Sequence, residues 1–285
     1  MAEIINCVQA ASDIREKIKE KTSLSGITPV LAAVRVGADP SDLAYERGIK
    51  NTFEKAGMEV RVFELDENIS QQQLEEKYMQ INSDPSIHSI LLFRPLPSGL
   101  DERPLAAMTD PAKDADCMSP VNWAKLVMGD DSAVCPCTAE AVVRILDFAN
   151  TDINGANAVI IGRSQVIGKP LGLMLLKRNA TVTWCHSRTK DISLQCRNAD
   201  ILVSACGRAR MIGEDIARVI SSGCTAIDVG MNFEGGKMCG DFDFEAVEPY
   251  AGKITTVPGG VGSMTNTILA LHTAQAALPG IDILS

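Results

Sequence analysis

The chain has 285 residues, 46% of them hydrophobic and 22% charged, which suits one large or two medium globular domains. The formal net charge of −9 argues against nucleic acid or an anionic membrane as the main partner, because both require a basic surface. No stretch approaches the roughly 20 apolar residues of a membrane-spanning helix. The first residues lack a basic start followed by an apolar run, so we expect a cytoplasmic protein.

The nine cysteines and three histidines do not suggest a metal site. The nearest cysteine pair, Cys135 and Cys137, is one residue closer than the C-x-x-C spacing of zinc ligands. Scattered cysteines in odd number are typical of reduced thiols in a reducing compartment. We therefore expect no bound metal.

Apolar runs that resemble buried parallel strands alternate along the chain with amphipathic, helix-like segments such as 71–81 and 139–148. The predicted strands cover residues 30–36, 60–63, 90–93, 158–161, 181–184, 201–204 and 225–229. Alternation of this kind predicts an α/β fold with a mostly parallel sheet and helices on both faces.

A turn-rich segment at 150–155 suggests a boundary between two lobes. We predict an N-terminal α/β lobe over residues 1–140 and a Rossmann-like dinucleotide lobe over 141–265. The last helix, with the residues up to 285, is expected to pack back on the first lobe.

The turn after strand 158–161 carries the strongest local signal for a ligand. The strand ends at Gly162, and a helix is predicted to begin near Val166. Gly162 allows a tight turn, and Gly168 allows the helix to approach the sheet or a ligand closely. Free N–H groups at a helix start, with the helix dipole, favour a pyrophosphate. Because the spacing is not G-x-G-x-x-G, an ordinary strand–turn–helix connection remains the alternative.

The next strand, 181–184, is followed by a string rich in basic and hydroxyl groups. NAD enzymes often carry Asp or Glu here to bind the ribose 2′-hydroxyl, whereas this chain has Ser187 and Arg188. Arg163 lies in the preceding glycine turn. Arginine and hydroxyl groups suit a 2′-phosphate, so NADP is predicted in preference to NAD. The alternative is that these arginines are solvated surface charges.

Two further loops belong to the same half of the chain. Residues 227–232 follow a strand and are expected at the carboxyl edge of the sheet, where open α/β folds bind ligands. Residues 257–262 hold three glycines that let the backbone pass close to a ligand, just before a helix predicted to open at 263–265. Either loop alone could be a tight connection.

Nine strings together resemble one family over nearly the whole chain, in that family's order and near its spacing: the methylenetetrahydrofolate dehydrogenase/cyclohydrolases. The strings are VGADPSDLAY, PLPSGLD, DPAKDAD, CPCTAEAV, GANAVIIGRSQVIGKP, TVTWCHSRT, AIDVGMN, GDFDF and TVPGGVGSMT. The resemblance implies two α/β lobes that flank a cleft, and a homodimer. It implies hydride transfer from 5,10-methylenetetrahydrofolate to NADP, followed in most members by hydrolysis of the methenyl product to 10-formyltetrahydrofolate.

The resemblance also assigns residues. Tyr45 matches a catalytic tyrosine that lines the folate site, and Asp116 matches the aspartate that grips the pterin. The alternatives are a half-buried core tyrosine and a surface turn aspartate. The loop that meets the pterin matches Pro258, Gly259 and Gly260. The predicted NADP residues are Thr138, Gly162, Arg163, Ser164, Gly168, Ser187, Met231 and Thr265.

Two positions depart from the family. Its catalytic lysine position holds Ile49, and its glutamine position holds Phe93, which is followed by Arg94 in place of leucine. Lys50 is adjacent, but one residue turns a helix by about 100°, which aims it elsewhere. Isoleucine and phenylalanine cannot transfer protons, whereas hydride transfer depends on holding cofactor and substrate close. We therefore expect a dehydrogenase whose cyclohydrolase activity is weak or absent.

Several alternatives stay open at this point. A helix slip that brings Lys50 into the site would restore the full bifunctional enzyme. A relative with a changed substrate is a second possibility, because an apolar pocket beside Arg94 could suit another ligand. A non-catalytic folate- or nucleotide-binding regulator is a third, although a binder of folate alone would not need the glycine turn.

Overall fold

The computed structural model describes residues 1–285. The helices are α1 (Cys7–Ser25), α2 (Pro40–Lys55), α3 (Gln71–Ser83), α4 (Arg103–Met108), α5 (Pro120–Met128), α6 (Cys137–Phe148), α7 (Gly168–Lys177), α8 (Ile192–Cys196), α9 (Glu214–Ala217), α10 (Phe244–Val247) and α11 (Val261–Ala277). The strands are β1 (Glu3–Ile4), β2 (Val30–Val36), β3 (Glu59–Leu65), β4 (Ser89–Leu92), β5 (Asn157–Ile161), β6 (Thr181–Cys185), β7 (Ile201–Ser204), β8 (Thr225–Asp228), β9 (Asn232–Glu234), β10 (Lys237–Cys239) and β11 (Lys253–Ile254). None of the helices combines the length and the apolar character needed to span a bilayer.

The six-stranded unit comprises Met1–Ala11 and Thr138–Thr265. Its main sheet has the strand order β1-β11-β8-β7-β5-β6, with all neighbours parallel, and β9 and β10 form a separate antiparallel hairpin. Buried apolar side chains of β5, β7 and β8, such as Val159, Leu202 and Ala226, pack in its core. The predicted α/β fold with a mostly parallel sheet is confirmed.

The three-stranded unit comprises Ser12–Cys137 and Asn266–Ser285. Its parallel sheet has the order β3-β2-β4, and all seven residues of the central strand β2 are buried. Helix α3 packs Leu74 and Tyr78 against this sheet, and the Tyr78 hydroxyl lies 2.8 Å from Thr109 Oγ1. The apolar runs predicted as strands here became β2, β3 and β4. All residues of β2 and β4 are buried, whereas β3, at the edge of the sheet, is partly exposed.

Residues Met1–Ala11 group with the six-stranded unit, whereas the predicted lobes cover 1–140 and 141–265. Strand β1 pairs with β11 through two bonds: Glu3 N donates to the Gly252 carbonyl and Ile5 N to the Ile254 carbonyl, both at 2.9 Å. Strand β1 has two exposed residues, so no apolar run signalled it. This pairing with residues about 250 positions away is a tertiary effect that local patterns do not carry.

Helix α2, which carries Tyr45, is fixed at its start and along its length. Asp39 accepts a hydrogen bond from Ser41 N at 2.8 Å, and Pro40 occupies the first turn, where its missing N–H costs nothing. Within the helix, Glu46 Oε2 lies 2.8 Å from Nε of the buried Arg35 on β2. This pair fixes the rotation of α2 against β2, and so the direction of the other side chains on the helix.

Candidate active site

The carboxyl ends of β5, β6, β7 and β8 lie along one edge of the six-stranded sheet, because these strands are parallel neighbours. The chain order reverses at β5, which pairs with β6 on one side and β7 on the other. Open parallel sheets bind dinucleotides at such a reversal. Just beyond the strands, Gly162 N donates to the Cys185 carbonyl at 2.9 Å and Ala205 N donates to the Ile161 carbonyl at 2.8 Å.

Gly162 and Gly168 have no room for a side chain. A Cβ on Gly162 would lie 2.4 Å from the Ala205 carbonyl oxygen, and its φ of +143° is one that L residues rarely adopt. A Cβ on Gly168 would lie 2.3 Å from the Gly162 carbonyl oxygen. The turn is therefore a bare backbone surface at the start of a ten-residue helix, which fits a dinucleotide pyrophosphate.

Helix α7 begins at Gly168, two residues later than the predicted start near Val166. The Ser164 hydroxyl accepts hydrogen bonds from Ile167 N at 3.1 Å and from Gly168 N at 3.4 Å. These bonds hold the intervening residues in a turn and engage two N–H groups that the sequence suggested were free for a phosphate. In this structure Ser164 shapes the turn, and its contact with the cofactor stays a prediction.

The turn after β6 presents the predicted phosphate-binding side chains to solvent. Arg163, Ser187 and Arg188 are all exposed. His186, which the sequence analysis left unassigned, fixes this turn. Its backbone N–H donates to Thr189 Oγ1 at 2.9 Å, and its imidazole Nδ1 accepts from Arg188 N at 3.1 Å. Because β5 and β6 pair in register at Ile161 and Cys185, the turns that carry these side chains are adjacent.

Asp241, which the sequence analysis missed, holds together the loops at the carboxyl ends of β7 and β8. Its carboxylate is fully buried. Burial acts to raise the pKa of Asp241, but its hydrogen-bond donors lower it overall. The donors are the Ser204 hydroxyl, the backbone N–H groups of Cys206, Gly207 and Arg208, and the Asn232 side-chain amide. The available signal was the string GDFDF, which contains Asp241.

Asp228, at the end of β8, continues this network. Its Oδ1 accepts from Gly230 N at 2.9 Å and from Asp241 N at 3.0 Å, and its Oδ2 accepts from Phe242 N at 2.8 Å. Burial raises the pKa of Asp228 to about 6, against the lowering effect of these three N–H groups. The two carboxylates therefore set the backbone that leads to Met231, whose side chain is 69% exposed.

The remaining predicted residues of this unit lie on its loops and helix starts. Thr138 is half-buried in the first turn of α6, and Thr265 Oγ1 donates to the Val261 carbonyl at 3.3 Å. Pro258 and Gly259 are exposed, whereas a Cβ on Gly260 would lie 2.3 Å from a backbone oxygen. Their contacts with cofactor or substrate stay predictions.

In the three-stranded unit, Tyr45 and Phe93 come together. Phe93 directly follows β4 and is 5% exposed, while Tyr45 is 38% exposed. The ring centroids are 5.5 Å apart with an interplanar angle of 61°, an edge-to-face contact. Burial of the hydroxyl, and then the nearby Cys137 and Asp116, raises the pKa of Tyr45. The phenol therefore stays neutral and can donate or accept a hydrogen bond.

Asp116 lies beside this aromatic pair. Its Oδ1 accepts from Cys137 N at 2.8 Å, and its Oδ2 lies 3.4 Å from Arg94 Nη2. The Asp116 side chain remains 25% exposed. One carboxylate oxygen is thus held by the backbone and the other by a loose ion pair, so lone pairs remain for an incoming ligand with two donors.

The backbone around Asp116 is shaped by its neighbour Asp114. The buried Asp114 carboxylate accepts from the N–H groups of Asp116, Met118 and Ser119 at 2.8–3.2 Å. Cys117 has a φ of +54°, a left-handed conformation that residues with a side chain rarely adopt. The hydrogen bonds to Asp114 hold the backbone in this conformation.

Ile49 and Lys50 have the orientations expected from the helical periodicity. The Ile49 side chain is fully buried, whereas the Lys50 side chain is 51% exposed and its Nζ lies 2.7 Å from Glu46 Oε1. Glu46 is in turn paired with the buried Arg35. The helix slip that would bring Lys50 to the family's lysine position is therefore absent from this structure.

Comparison with known proteins agrees with these features over almost the whole chain. Residues 5–116 match the catalytic domain of tetrahydrofolate dehydrogenase/cyclohydrolase, and residues 136–279 match its NAD(P)-binding domain. The bifunctional protein FolD of Alkaliphilus oremlandii is 49% identical over 262 residues, which is 92% of this chain and 90% of that relative.

Solved structures give the same result. The bifunctional enzyme FolD of Campylobacter jejuni is 36% identical with a TM-score of 0.93, over 97% of this chain and 99% of that one. The enzyme of Trypanosoma brucei, complexed with NADP cofactor and inhibitor, is 31% identical with a TM-score of 0.89, over 96% of this chain and 97% of that one. The chain therefore belongs to the tetrahydrofolate dehydrogenase/cyclohydrolase family.

Proposed function

We propose that this protein oxidises 5,10-methylenetetrahydrofolate to 5,10-methenyltetrahydrofolate with NADP as the hydride acceptor. The observation that carries the proposal is the turn at the strand-order reversal whose glycines, Gly162 and Gly168, have no room for a Cβ, in a chain of this family. In the reaction a bridge C–H bond breaks, its hydride passes to the nicotinamide, and the bridge becomes a cationic methenyl group. Because the cofactor supplies the redox chemistry when bound, the protein's part is to hold the two reactants in contact.

The preference for NADP over NAD rests on the turns after β5 and β6. Arg163, Ser187 and Arg188 are exposed there, and no acidic residue occupies the position after β6. Guanidinium and hydroxyl groups bind a 2′-phosphate, whereas a carboxylate would repel it. The related structure from Trypanosoma brucei, solved with NADP, supports the same choice.

On the folate side we assign the contacts residue by residue. Asp116 accepts from the pterin amino group and ring N–H, and Tyr45 supplies a ring face and a neutral hydroxyl. Pro258, Gly259 and Gly260 form a backbone surface against the pterin. Thr138, Met231 and Thr265 contact the nicotinamide half of the cofactor.

Hydrolysis of the methenyl product is the second activity to assign. Both FolD relatives are named bifunctional, which favours a full dehydrogenase/cyclohydrolase over a dehydrogenase alone. The residues of this chain support slow hydrolysis. Ile49 is fully buried and Phe93 packs on Tyr45, so neither position offers a group that activates water or transfers a proton.

One assay series tests both parts of the proposal. Purified protein is mixed with methylenetetrahydrofolate and either NADP or NAD, and reduced nicotinamide is followed. Turnover that is faster with NADP supports the dehydrogenase proposal. Ligand-dependent thermal stabilisation without turnover would instead indicate a binding protein. Methenyltetrahydrofolate without nucleotide is then supplied, and hydrolysis well above the uncatalysed rate would establish the bifunctional alternative.

A homodimer is part of the same proposal, because the family resemblance implies it. Sedimentation equilibrium of the purified chain measures its mass in solution. A mass of about 61 kDa, twice the 30.5 kDa of one chain, supports the dimer, and a mass of 30.5 kDa contradicts it.

A further inference from the structure

The cation that contacts Asp116 in this protein comes from a position where the family has leucine. Arg94 Nη2 lies 3.4 Å from Asp116 Oδ2, and the two side chains are 23% and 25% exposed. The family's lysine position is occupied by the fully buried Ile49. Lys50 is bound to Glu46 on the same helix. The positive charge of this site is therefore carried by a guanidinium instead of an ammonium.

Asp116 needs such a partner because it is placed where ionisation is costly. Burial raises the pKa of Asp116, while the Cys137 N–H and the Arg94 charge oppose that rise. A protonated carboxyl would present one donor and reduced acceptor capacity, whereas an ionised carboxylate accepts through both oxygens. A ligand edge with two adjacent donors, such as the pterin amino group and ring N–H, requires the ionised form.

We propose that Arg94 is a positioning residue for folate binding: its guanidinium keeps the Asp116 carboxylate ionised and oriented to accept the two donors of the pterin edge. The inference rests on the proposed function, because it takes the ligand of Asp116 to be a tetrahydrofolate. Arg94 acts through Asp116 and takes no part in proton transfer.

The chemistry of arginine fits this positioning role and excludes proton transfer. A guanidinium is protonated at every working pH, so Arg94 cannot replace the family's lysine as a proton carrier. A fixed positive charge beside a carboxylate favours the ionised form. The N···O distance of 3.4 Å is longer than a typical hydrogen bond, so the pair leaves Asp116 lone pairs open to the ligand.

The pH dependence follows from the groups that surround Asp116. Those groups are Arg94 after β4, Asp114 and Cys117 in its own loop, Tyr45 on α2, Cys137 at the start of α6, and His272 on α11, whose Nδ1 lies 3.6 Å from Cys137 Sγ. Of these, Arg94 is the positive charge that directly opposes the effect of burial on Asp116. Its removal lets the pKa of Asp116 rise, so folate binding is lost at a higher pH as the solution is acidified.

The test compares the full-length protein with Arg94→Leu, which restores the family's residue, and with the charge-conserving Arg94→Lys. The apparent kcat and KM for methylenetetrahydrofolate are measured from pH 5.5 to 8.5 at saturating NADP. In Arg94→Leu we expect kcat/KM to fall on acidification at a pH about one unit higher than in the parent. This shift is at the low end of the range for neighbouring opposite charges, because the pair is partly exposed. KM should carry this change, kcat should vary by less than about threefold, and Arg94→Lys should return the profile toward that of the parent.

A second measurement separates action through Asp116 from a general structural effect. In an Asp116→Asn background, which has no carboxylate to titrate, Arg94→Leu should leave the pH profile unchanged. If Arg94→Leu does not fold, as judged by thermal unfolding and NADP binding, Arg94→Gln replaces it. Superimposable profiles of the parent and the neutral variants, or equal effects with and without Asp116, overturn the inference. A parent that never reduces NADP at any pH overturns the proposed function instead, and this inference with it.

Discussion

The two units differ in what their candidate sites are made of. In the six-stranded unit the site is a backbone surface: Gly162 and Gly168 lack room for a Cβ, and two buried aspartates hold the neighbouring loops. In the three-stranded unit the candidate site consists of side chains, among which Ile49 and Phe93 are apolar. A site built from backbone tolerates side-chain change around it, whereas proton transfer depends on the identity of individual groups.

This difference suggests why the two activities of the family can separate. Hydride transfer requires that cofactor and substrate be held together, and the cofactor carries the redox chemistry. Hydrolysis of the methenyl group requires a water to be activated and a proton to be moved. The side chains of Ile49 and Phe93 offer no group for that second requirement.

Among the substitutions that test this comparison, Gly168→Ala should have the largest effect. The new Cβ would lie 2.3 Å from the Gly162 carbonyl oxygen, which is backbone and cannot rotate away. The backbone shift that makes room for this Cβ should cost about 1–3 kcal/mol, which corresponds to NADP binding weaker by as much as about 100-fold. Calorimetric titration with NADP measures the affinity. Gly223→Ala, with open space around its Cβ, is the matched control. Unchanged NADP affinity in Gly168→Ala would contradict the assignment of the turn.

Asp241→Ala tests whether the loops of the six-stranded unit depend on one buried carboxylate. Five donors, three of them backbone N–H groups, would lose their acceptor. We expect the free energy of unfolding to fall by about 3 kcal/mol, since each buried unpaired donor costs about 1–3 kcal/mol before relaxation. Urea unfolding measures it, with the exposed Asp215→Ala as control. A loss no larger than that of the control would show that water replaces the carboxylate.

The role of positions 49 and 93 is tested by introducing the lysine and glutamine of the family there. The double substitution Ile49→Lys with Phe93→Gln should raise methenyltetrahydrofolate hydrolysis by at least about tenfold, because general acid–base groups contribute about 10²–10⁴-fold. The dehydrogenase rate should change less. The apolar pair Ile49→Leu with Phe93→Leu controls for repacking. A folded, NADP-reducing double variant with unchanged hydrolysis would mean that these positions do not explain a slow second step.

Lys50→Met should have the smallest effect. The Lys50 ammonium is bound to Glu46, and its side chain is half exposed. We expect both activities to stay within about twofold, and the free energy of unfolding to change by no more than about 0.5 kcal/mol, as is usual for surface ion pairs. Initial rates and urea unfolding measure this. A more than tenfold loss of hydrolysis would identify Lys50 as the working lysine.

The sequence predicted the seven longest strands, β2 to β8, because each contains a short continuous apolar run. It missed β1, β9, β10 and β11, which have two or three residues each. Helix α7 begins two residues later than predicted, since the bonds from Ile167 N and Gly168 N to the Ser164 hydroxyl hold a turn before the helix. Residues 1–11 group with the six-stranded unit, in which β1 pairs with the distant strand β11. Periodicity could not reveal such long-range partners.

The candidate site likewise has features that the sequence predicted and features that it did not predict. Motifs predicted the glycine turn, Tyr45 and Asp116 as site residues, and those roles stay predictions. Helical periodicity predicted that Lys50 and Ile49 point in different directions, and the structure shows Lys50 half exposed and paired with Glu46. The contacts of Arg94 with Asp116 and the five donors of Asp241 join residues far apart in the chain. Only the folded backbone brings those groups within bonding distance, so no local pattern predicted them.

The most direct test is one time course in which the protein acts on methylenetetrahydrofolate and NADP, with NADPH, methenyltetrahydrofolate and 10-formyltetrahydrofolate measured together. We predict that NADPH forms with methenyltetrahydrofolate as the main product, while 10-formyltetrahydrofolate appears more slowly than NADPH. A failure to form NADPH would contradict the assignment of the glycine turn. Formation of 10-formyltetrahydrofolate in step with NADPH would contradict the separation of the two activities.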